Sequence, residues 1–241
     1  MTLFRSAGRT ETGHVRRHNE DAILDAPELG LWAVADGLGG HAAGDVASRL
    51  VVDRLRALPM VDDVADRIDA IEDELLRVNH ALRRMAAERH VDAIASTVVI
   101  LVHTRDAMLC GWVGDSRAYC FENDRLRLLT RDHVHGDRGD ETRFGAYPAH
   151  AAAGVLTRAV GAEDRLYVDW KIVPRRRGMS FVLCSDGINK ELGDADIEAC
   201  CRRHARPDAV VGELMDGALA RAGRDNVSAV VVRLDDFEET R

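Results

Sequence analysis

Four acidic segments stand against apolar runs in this chain, and their residue types are those of hard oxygen ligands. The first is Asp36-Gly37-Leu38-Gly39-Gly40-His41, which follows Leu31-Trp32-Ala33-Val34-Ala35. A buried strand that ends at a carboxylate and then at clustered glycines puts the acid at a sheet edge. It also leaves backbone carbonyls free to face a cation. The pattern recurs at Phe181-Val182-Leu183-Cys184-Ser185-Asp186-Gly187, and Asn19-Glu20-Asp21 and Asp225-Asn226 bring further acids beside strand-like runs. Taken singly, each Asp reads equally well as a turn or a helix cap. Together they read as one oxygen-ligand site drawn from distant parts of the chain, with Asp36, Asp186 and Asp225 at its centre. A divalent ion takes oxygens from carboxylates, carbonyls and water. Without one, gathered acids repel and raise each other's pKa. Two ions sharing a carboxylate remove that cost, activate a water and clamp an oxyanion for in-line displacement.

Such a site needs a frame. Strands are predicted over 3–7, 22–24 and 31–35, and a helix over 45–58 with Val46, Leu50 and Val51 on one face. Val64, Ile68, Ile71, Leu75, Val78, Leu82 and Met85 recur at alternating steps of four and three, one apolar stripe on a long helix that packs on a sheet. Strands follow over 94–103, 107–113, 117–121 and 125–129, a series with short turns that favours an antiparallel meander over βαβ units. The stretch 133–154 is rich in Gly, Asp, His and Ala without a period and reads as a mobile excursion near the site. Strands over 168–173 and 179–184, helices over 194–204 and 207–222, and a last strand over 227–234 complete the pattern. Pro207 suits a first helical turn and Gly223 a stop. Strands and helices come in blocks, so the class is α+β, with sheet layered on sheet and helices outside. No repeat or linker divides the chain, which reads as one domain over 1–241.

Bulk composition narrows the function. A net charge of -8 argues against nonspecific nucleic-acid binding and suits a site for divalent cations. Hydrophobic content of 46% and charged content of 31% exclude a disordered chain. No apolar run approaches the roughly 20 residues that span a bilayer, and the first twelve residues lack a signal-peptide core, so a cytoplasmic location is expected. Cys110, Cys120 and Cys184 read as buried core residues. Cys200 and Arg206 match the Cys-x5-Arg spacing of cysteine-dependent phosphatases, but the intervening residues lack the glycines that wrap a phosphate and read as a helix.

The order of segments resembles the type 2C metal-dependent protein serine/threonine phosphatases, the PPM superfamily, in their compact bacterial form. The matching stretches are Arg16-Arg17-His18-Asn19-Glu20-Asp21-Ala22; Ala35-Asp36-Gly37-Leu38-Gly39-Gly40-His41 with Gly44 and Ala47-Ser48; Ala95-Ser96-Thr97; Val113-Gly114-Asp115-Ser116-Arg117-Ala118-Tyr119; Leu129-Thr130-Arg131-Asp132-His133; Leu156-Thr157-Arg158-Ala159-Val160-Gly161; Leu183-Cys184-Ser185-Asp186-Gly187; and Gly223-Arg224-Asp225-Asn226-Val227-Ser228. They span nearly the whole chain. The resemblance implies a central sandwich of two antiparallel sheets flanked by helices, with a flap over about 134–154. It implies two Mg2+ or Mn2+ ions bridged by Asp36, with the Gly37 carbonyl, Asp186 and Asp225 completing their sites. Glu20 and Asp21 would lie in or next to the ligand shell, and Asp115 would help hold a third, weaker ion. Arg16 would grip the substrate phosphate through its planar fork, with Arg17 as the alternative grip.

The implied reaction is hydrolysis of phosphoserine and phosphothreonine in proteins, by in-line attack of a metal-bridging water and without a covalent enzyme intermediate. The implied partners are phosphoproteins and a bacterial Ser/Thr kinase whose work it reverses. Two departures stand out. Leu38 follows Asp-Gly where some members carry a histidine acid, and Leu38 cannot give a proton; the nearby His41 reads as structural, in the glycine turn. Gly154 and Val155 precede Leu156-Thr157-Arg158 where an Asn is expected. A noncatalytic module of the same fold is the rival reading, but such a module would be expected to lose Asp36, Asp186 or Asp225.

Overall fold

A computed structural model of the chain describes residues 4–39, 43–61, 63–135 and 155–235. Its strands, in chain order, are β1 (Phe4–Glu11), β2 (Asp21–Ala26), β3 (Leu31–Gly39), β4 (Ile94–Ser96), β5 (Val98–His103), β6 (Ala107–Val113), β7 (Arg117–Glu122), β8 (Arg125–Leu128), β9 (Asp169–Pro174), β10 (Ser180–Cys184) and β11 (Val227–Leu234). One sheet has the order β1-β11-β10-β7-β8. The other has β2-β3-β5-β6-β9, with β4 extending from β3. The pairs are antiparallel, as expected, but the meander expected over 94–129 is divided: β5 and β6 pair in one sheet and β7 and β8 in the other, because the chain crosses between the sheets after Val113.

Side-chain alternation builds the layers. On β3, Trp32 and Val34, with their neighbours Leu101 and Val99 on β5, face the other sheet, where they meet Phe181, Leu183, Val230 and Val232. Leu31, Ala33 and Ala35 face away, against helices α1 (Gly44–Arg56) and α2 (Val64–Arg89). The other sheet turns Tyr119, Val182, Val227, Ala229 and Val231 toward α4 (Asp194–Arg203) and α5 (Pro207–Arg221). Strands covered on both faces need apolar residues at successive positions, which is why 31–35 and 229–232 are unbroken apolar runs. The α2 stripe buries Ile71, Leu75, Val78 and Leu82 on the sheet, as its spacing requires. Asp63 caps this helix by accepting from the Ala65 and Asp66 amides at 2.8 and 3.1 Å. Pro207 opens α5, and Gly223 follows its end in the left-handed region at φ 52°.

The structure corrects the expected elements at three places, all beside the acids. β3 does not stop at Ala35 but continues through Asp36-Gly37-Leu38-Gly39, because β4 gives these residues ladder partners. The single strand expected over 94–103 is two, broken at Thr97, whose amide and hydroxyl both turn to Asp36. Asp186-Gly187, to which the pattern assigns no element, opens a short helix, α3 (Asp186–Asn189). A 3-10 turn over Pro27–Leu29 is also new. Of the excursion expected over 133–154, residues 136–154 lie outside the described residues, as do Gly40 and His41. Among the described residues, no helix is long and apolar enough to cross a membrane.

Candidate metal centre

The antiparallel order brings one end of the sandwich together: the start of β2, the far end of β3, the end of β6, the end of β10 and the start of β11. Asp21 opens β2 and lies directly across from Asp36 on β3. Cross-strand partners share a face, and like charges so placed are destabilising. By alternation that face is the one carrying Trp32 and Val34, so both carboxylates enter the mouth between the two sheets. Asp21 and Asp186 are buried.

Hydroxyls and backbone hold these acids. Asp21 Oδ2 accepts from Ser228 Oγ at 2.6 Å and from Ser185 Oγ at 2.7 Å, which ties β2 to β11 and to the residue that follows β10 in the opposite sheet. Thr97 donates its amide to the Asp36 carbonyl at 2.9 Å and accepts the Asp36 amide on its hydroxyl at 3.2 Å. The same Thr97 hydroxyl lies 2.7 Å from that of Ser116, next to Asp115. Asn226 takes the Glu20 amide on its Oδ1 and donates to the carbonyls of Thr12 and His18, each at 2.9 Å, fixing the loop that carries Arg16.

Charge is crowded here. Burial pushes the Asp21 carboxyl up to about 7 against the pull of Ser228 and Ser185, with Asp186 and Asp225 adding repulsion. Burial, then the fields of Asp21, Asp186, Asp115 and Asp225, hold Asp36 well above the usual carboxylate range. Asp115 rises to about 6, through burial and then Asp186. Asp36, Asp21, Asp115, Asp186 and Asp225 therefore lie within one another's electrostatic reach.

Two cations answer part of this charge. Lys190, one turn beyond Asp186, donates to Asp186 Oδ2. Arg16 forks onto Asp225, with Nε 2.9 Å from Oδ1 and Nη2 2.9 Å from Oδ2. With these contacts made, no three His, Cys, Asp or Glu side chains among the described residues close into a ready cation cage. Yet Asp21 Oδ1, Asp45 Oδ1 and Asp186 Oδ1 are buried without any hydrogen-bond partner. Buried carboxylate oxygens left unpaired beside further carboxylates fit a hard divalent ion.

Glycines make room for the acids. A Cβ on Gly37 would sit 2.0 Å from the Gly44 carbonyl oxygen and 2.7 Å from that of Glu20, and one on Gly44 would sit 2.9 Å from Glu20 Oε1. Gly37→Ala must move backbone, so it is expected to cost about 1–3 kcal/mol and to depress activity. Gly212→Ala on α5, where nothing lies within 4 Å, is the control of opposite sign, gaining about 0.5–1 kcal/mol. Thermal melts of both variants check the pair.

The sequence reading brought in Asp36, Gly37, Asp186, Asp225, Glu20, Asp21, Asp115 and Arg16, and the structure gathers them at this end of the sandwich. It gave no role to Lys190, Asp45, Ser228 or Thr97. Lys190 could have been found as a cation one helical turn after Asp186. The Ser228 and Thr97 contacts cross between strands and leave no local signal. Arg17 is exposed. Cys200 lies in α4, its thiol directed to the Val210 carbonyl at 3.6 Å and pushed up to about 12 by burial, and Arg206 pairs with Asp208. That pair forms no phosphate loop. Cys110, Cys120 and Cys184 are core residues.

The family model described as protein phosphatase 2C matches residues 11–229. The chain is similar to PppA, a key regulatory component of T6SS in Pseudomonas aeruginosa, with 40% identity, a TM-score of 0.88, and coverage of 96% of this chain and 98% of that one. It is 29% identical to the serine/threonine phosphatase stp of Listeria innocua, over 97% of each chain. The Mycobacterium tuberculosis serine/threonine phosphatase PstP superposes with a TM-score of 0.84 at 27% identity, over 97% of this chain and 99% of that one. A PstP catalytic domain has also been solved in complex with 2 manganese ions.

Proposed function

The chain belongs to the protein phosphatase 2C family and is a metal-dependent serine/threonine protein phosphatase; on that premise we propose that Asp36, Gly37, Asp186 and Asp225, with Glu20, Asp21 and Asp115 beside them, form its metal centre within one catalytic domain. The observation that carries this is the pairing of Asp21 with Asp36 at the mouth between the sheets, where Asp21 and Asp186 each leave a buried oxygen unpartnered. When bound, two Mg2+ or Mn2+ ions, with a third held more weakly through Asp115, supply Lewis-acid polarisation and an activated water for hydrolysis of a phosphomonoester. The protein's own part is to hold the carboxylates at fixed spacing through Ser185, Ser228 and Thr97, and to shed Lys190 and Arg16 from carboxylate oxygens that ligation needs.

Arg16 has the second role. Its fork already fits a planar pair of carboxylate oxygens on Asp225, and a phosphate presents the same pair. Transfer of this exposed guanidinium to substrate binds and orients the phosphate beside the acids. Arg16→Ala is expected to lower kcat/KM by about 10–100-fold, the worth of a charge-assisted hydrogen bond pair. It should leave folding stability within about 0.5 kcal/mol, because the side chain is half exposed. Arg17→Ala should change neither. Steady-state kinetics on a phosphothreonine peptide decide between the two arginines.

Leu38 gives no proton, so solvent protonates the departing alkoxide in this proposal. Turnover of the phosphothreonine peptide should survive a thiol alkylator; loss on alkylation would restore Cys200 as nucleophile. Similarity to PppA extends the proposal to a physiological setting: a cytoplasmic enzyme that opposes a Ser/Thr kinase in control of a secretion system. A comparison of phosphosites with and without the gene tests it. Unchanged phosphothreonine and phosphoserine levels on secretion components would reject that setting.

A further inference from the structure

His133 is a buried polar residue that none of the chemistry above uses, with 2% of its surface exposed. It grips one glycine at two points. Its Nδ1 accepts the Gly114 amide at 3.0 Å, and its own amide donates to the Gly114 carbonyl at 3.0 Å. Gly114 sits at φ 108°, and a Cβ there would lie 2.6 Å from Thr97 Cβ, so this residue has no freedom to be anything else. Because an amide can only donate, Nδ1 is the acceptor and Nε2 carries the ring hydrogen, which goes to Asp169 Oδ2 at 3.2 Å. Arg158 Nη1 donates to Asp169 Oδ1 at 3.0 Å, and Trp112 stacks on the ring at 6.2 Å between centroids. The imidazole is thus fixed in both position and tautomer. The neighbouring Asp132 grips the other side of the same turn, its carboxylate taking Arg117 Nε and Nη2 at 2.9 and 2.7 Å.

Between these two grips lies Asp115-Ser116. Asp115 lies within the electrostatic reach of Asp186 and Lys190, and Ser116 reaches Asp36 through the Thr97 hydroxyl. We propose that His133, held by Asp169 and Arg158, is a positioning residue that clamps Gly114 and so sets Asp115 against the acid cluster. His133 touches no reacting atom; it acts through Asp115. The inference rests on the assignment of Asp115 to the metal centre.

A double-mutant cycle in the full chain tests it, with Mn2+ as probe and calorimetric affinity as readout, each variant first checked for a cooperative melt without metal. Groups that orient ligands typically change metal affinity by about 10–100-fold, and His133→Leu is expected to weaken Mn2+ binding by about 10-fold. His133→Asn should recover most of it, because its Oδ1 stands where Nδ1 stands and accepts the Gly114 amide. In an Asp115→Asn background the His133→Leu loss should vanish, which a general loss of stability would not produce. Should His133→Leu not fold, Asp169→Ala, at a half-exposed carboxylate, carries the same cycle. Undiminished Mn2+ affinity in a folded His133→Leu or Asp169→Ala protein overturns the clamp. So does additivity with Asp115→Asn, or an Asn variant no better than Leu. If Asp115→Asn alone leaves Mn2+ binding unchanged, the assignment of Asp115 fails, and the clamp with it.

Discussion

Asp36→Asn is expected to lower kcat/KM on a phosphothreonine peptide by about 1,000-fold or more, while the metal-free protein becomes more stable. The two halves share one cause. Asp36 faces Asp21 across the β2–β3 ladder and feels Asp186, Asp115 and Asp225. In the absence of a divalent ion its charge is a liability: burial and four neighbouring carboxylates oppose it, while Lys190 and Arg16 pair with Asp186 and Asp225 and not with Asp36. An amide of the same shape keeps the Thr97 contacts, which involve the Asp36 backbone, and removes the repulsion. In the loaded enzyme the same carboxylate is worth several kcal/mol of transition-state charge stabilisation, and about 1.4 kcal/mol is a factor of ten in rate. Each kcal/mol of relief should raise the metal-free Tm by about 2–4 °C for a chain of this size. Kinetics and melts on one preparation check both. Full turnover would remove Asp36 from the site; lost turnover with a lowered metal-free Tm would make it a structural residue instead.

The parts of the fold that could be read from the sequence are those where a local pattern meets a two-sided or one-sided burial. Residues 107–113 are covered on both faces, so their run without charged residues ends where the strand ends, and Ala229–Val232 form the apolar centre of the last strand. The stripe from Val64 to Met85 needs one buried face, and α2 provides it. The acids were legible for the opposite reason: a charge at the end of a buried run is costly unless something answers it. What stayed hidden is non-local. Glycines at 37 and 39 signal a turn, but β4, some sixty residues later, pairs with them and keeps them in strand. Thr97 looks like one more β-branched strand residue, yet it breaks the strand because its hydrogen-bonding groups serve Asp36 and Ser116. His133, in a short polar segment, carries no sign that its ring will be sealed between Gly114 and Asp169. Hydrogen bonds between distant segments impose no period on either one, so pattern reading passes over them.

Addition of Mn2+ to metal-free protein is expected to raise its Tm by about 5–10 °C, and excess EDTA to abolish turnover. The size follows from linkage. A ligand at 100 times its Kd that binds only the folded state adds about 2.7 kcal/mol, and the same 2–4 °C per kcal/mol applies. The sign follows from the site. Asp21 and Asp186 each hold a buried oxygen with no partner, and a divalent ion satisfies such oxygens while cancelling the repulsion that, after burial, raises Asp21, Asp36 and Asp115. Part of the gain is offset, because Lys190 must give up its hold on Asp186 and Arg16 its fork on Asp225 before those carboxylates can turn to a metal. The rise should therefore be steepest at low salt and nearly absent in Asp36→Asn, where the gap between metal-free and loaded protein has been closed from the other side. Ca2+ shares the oxygen preference of Mn2+ but takes longer bonds and more ligands, so it is the informative control: it should lift the melt while supporting less turnover. A melt indifferent to Mn2+, with hydrolysis continuing in EDTA, would leave the crowded carboxylates without a counter-ion and the reaction without a source of its water.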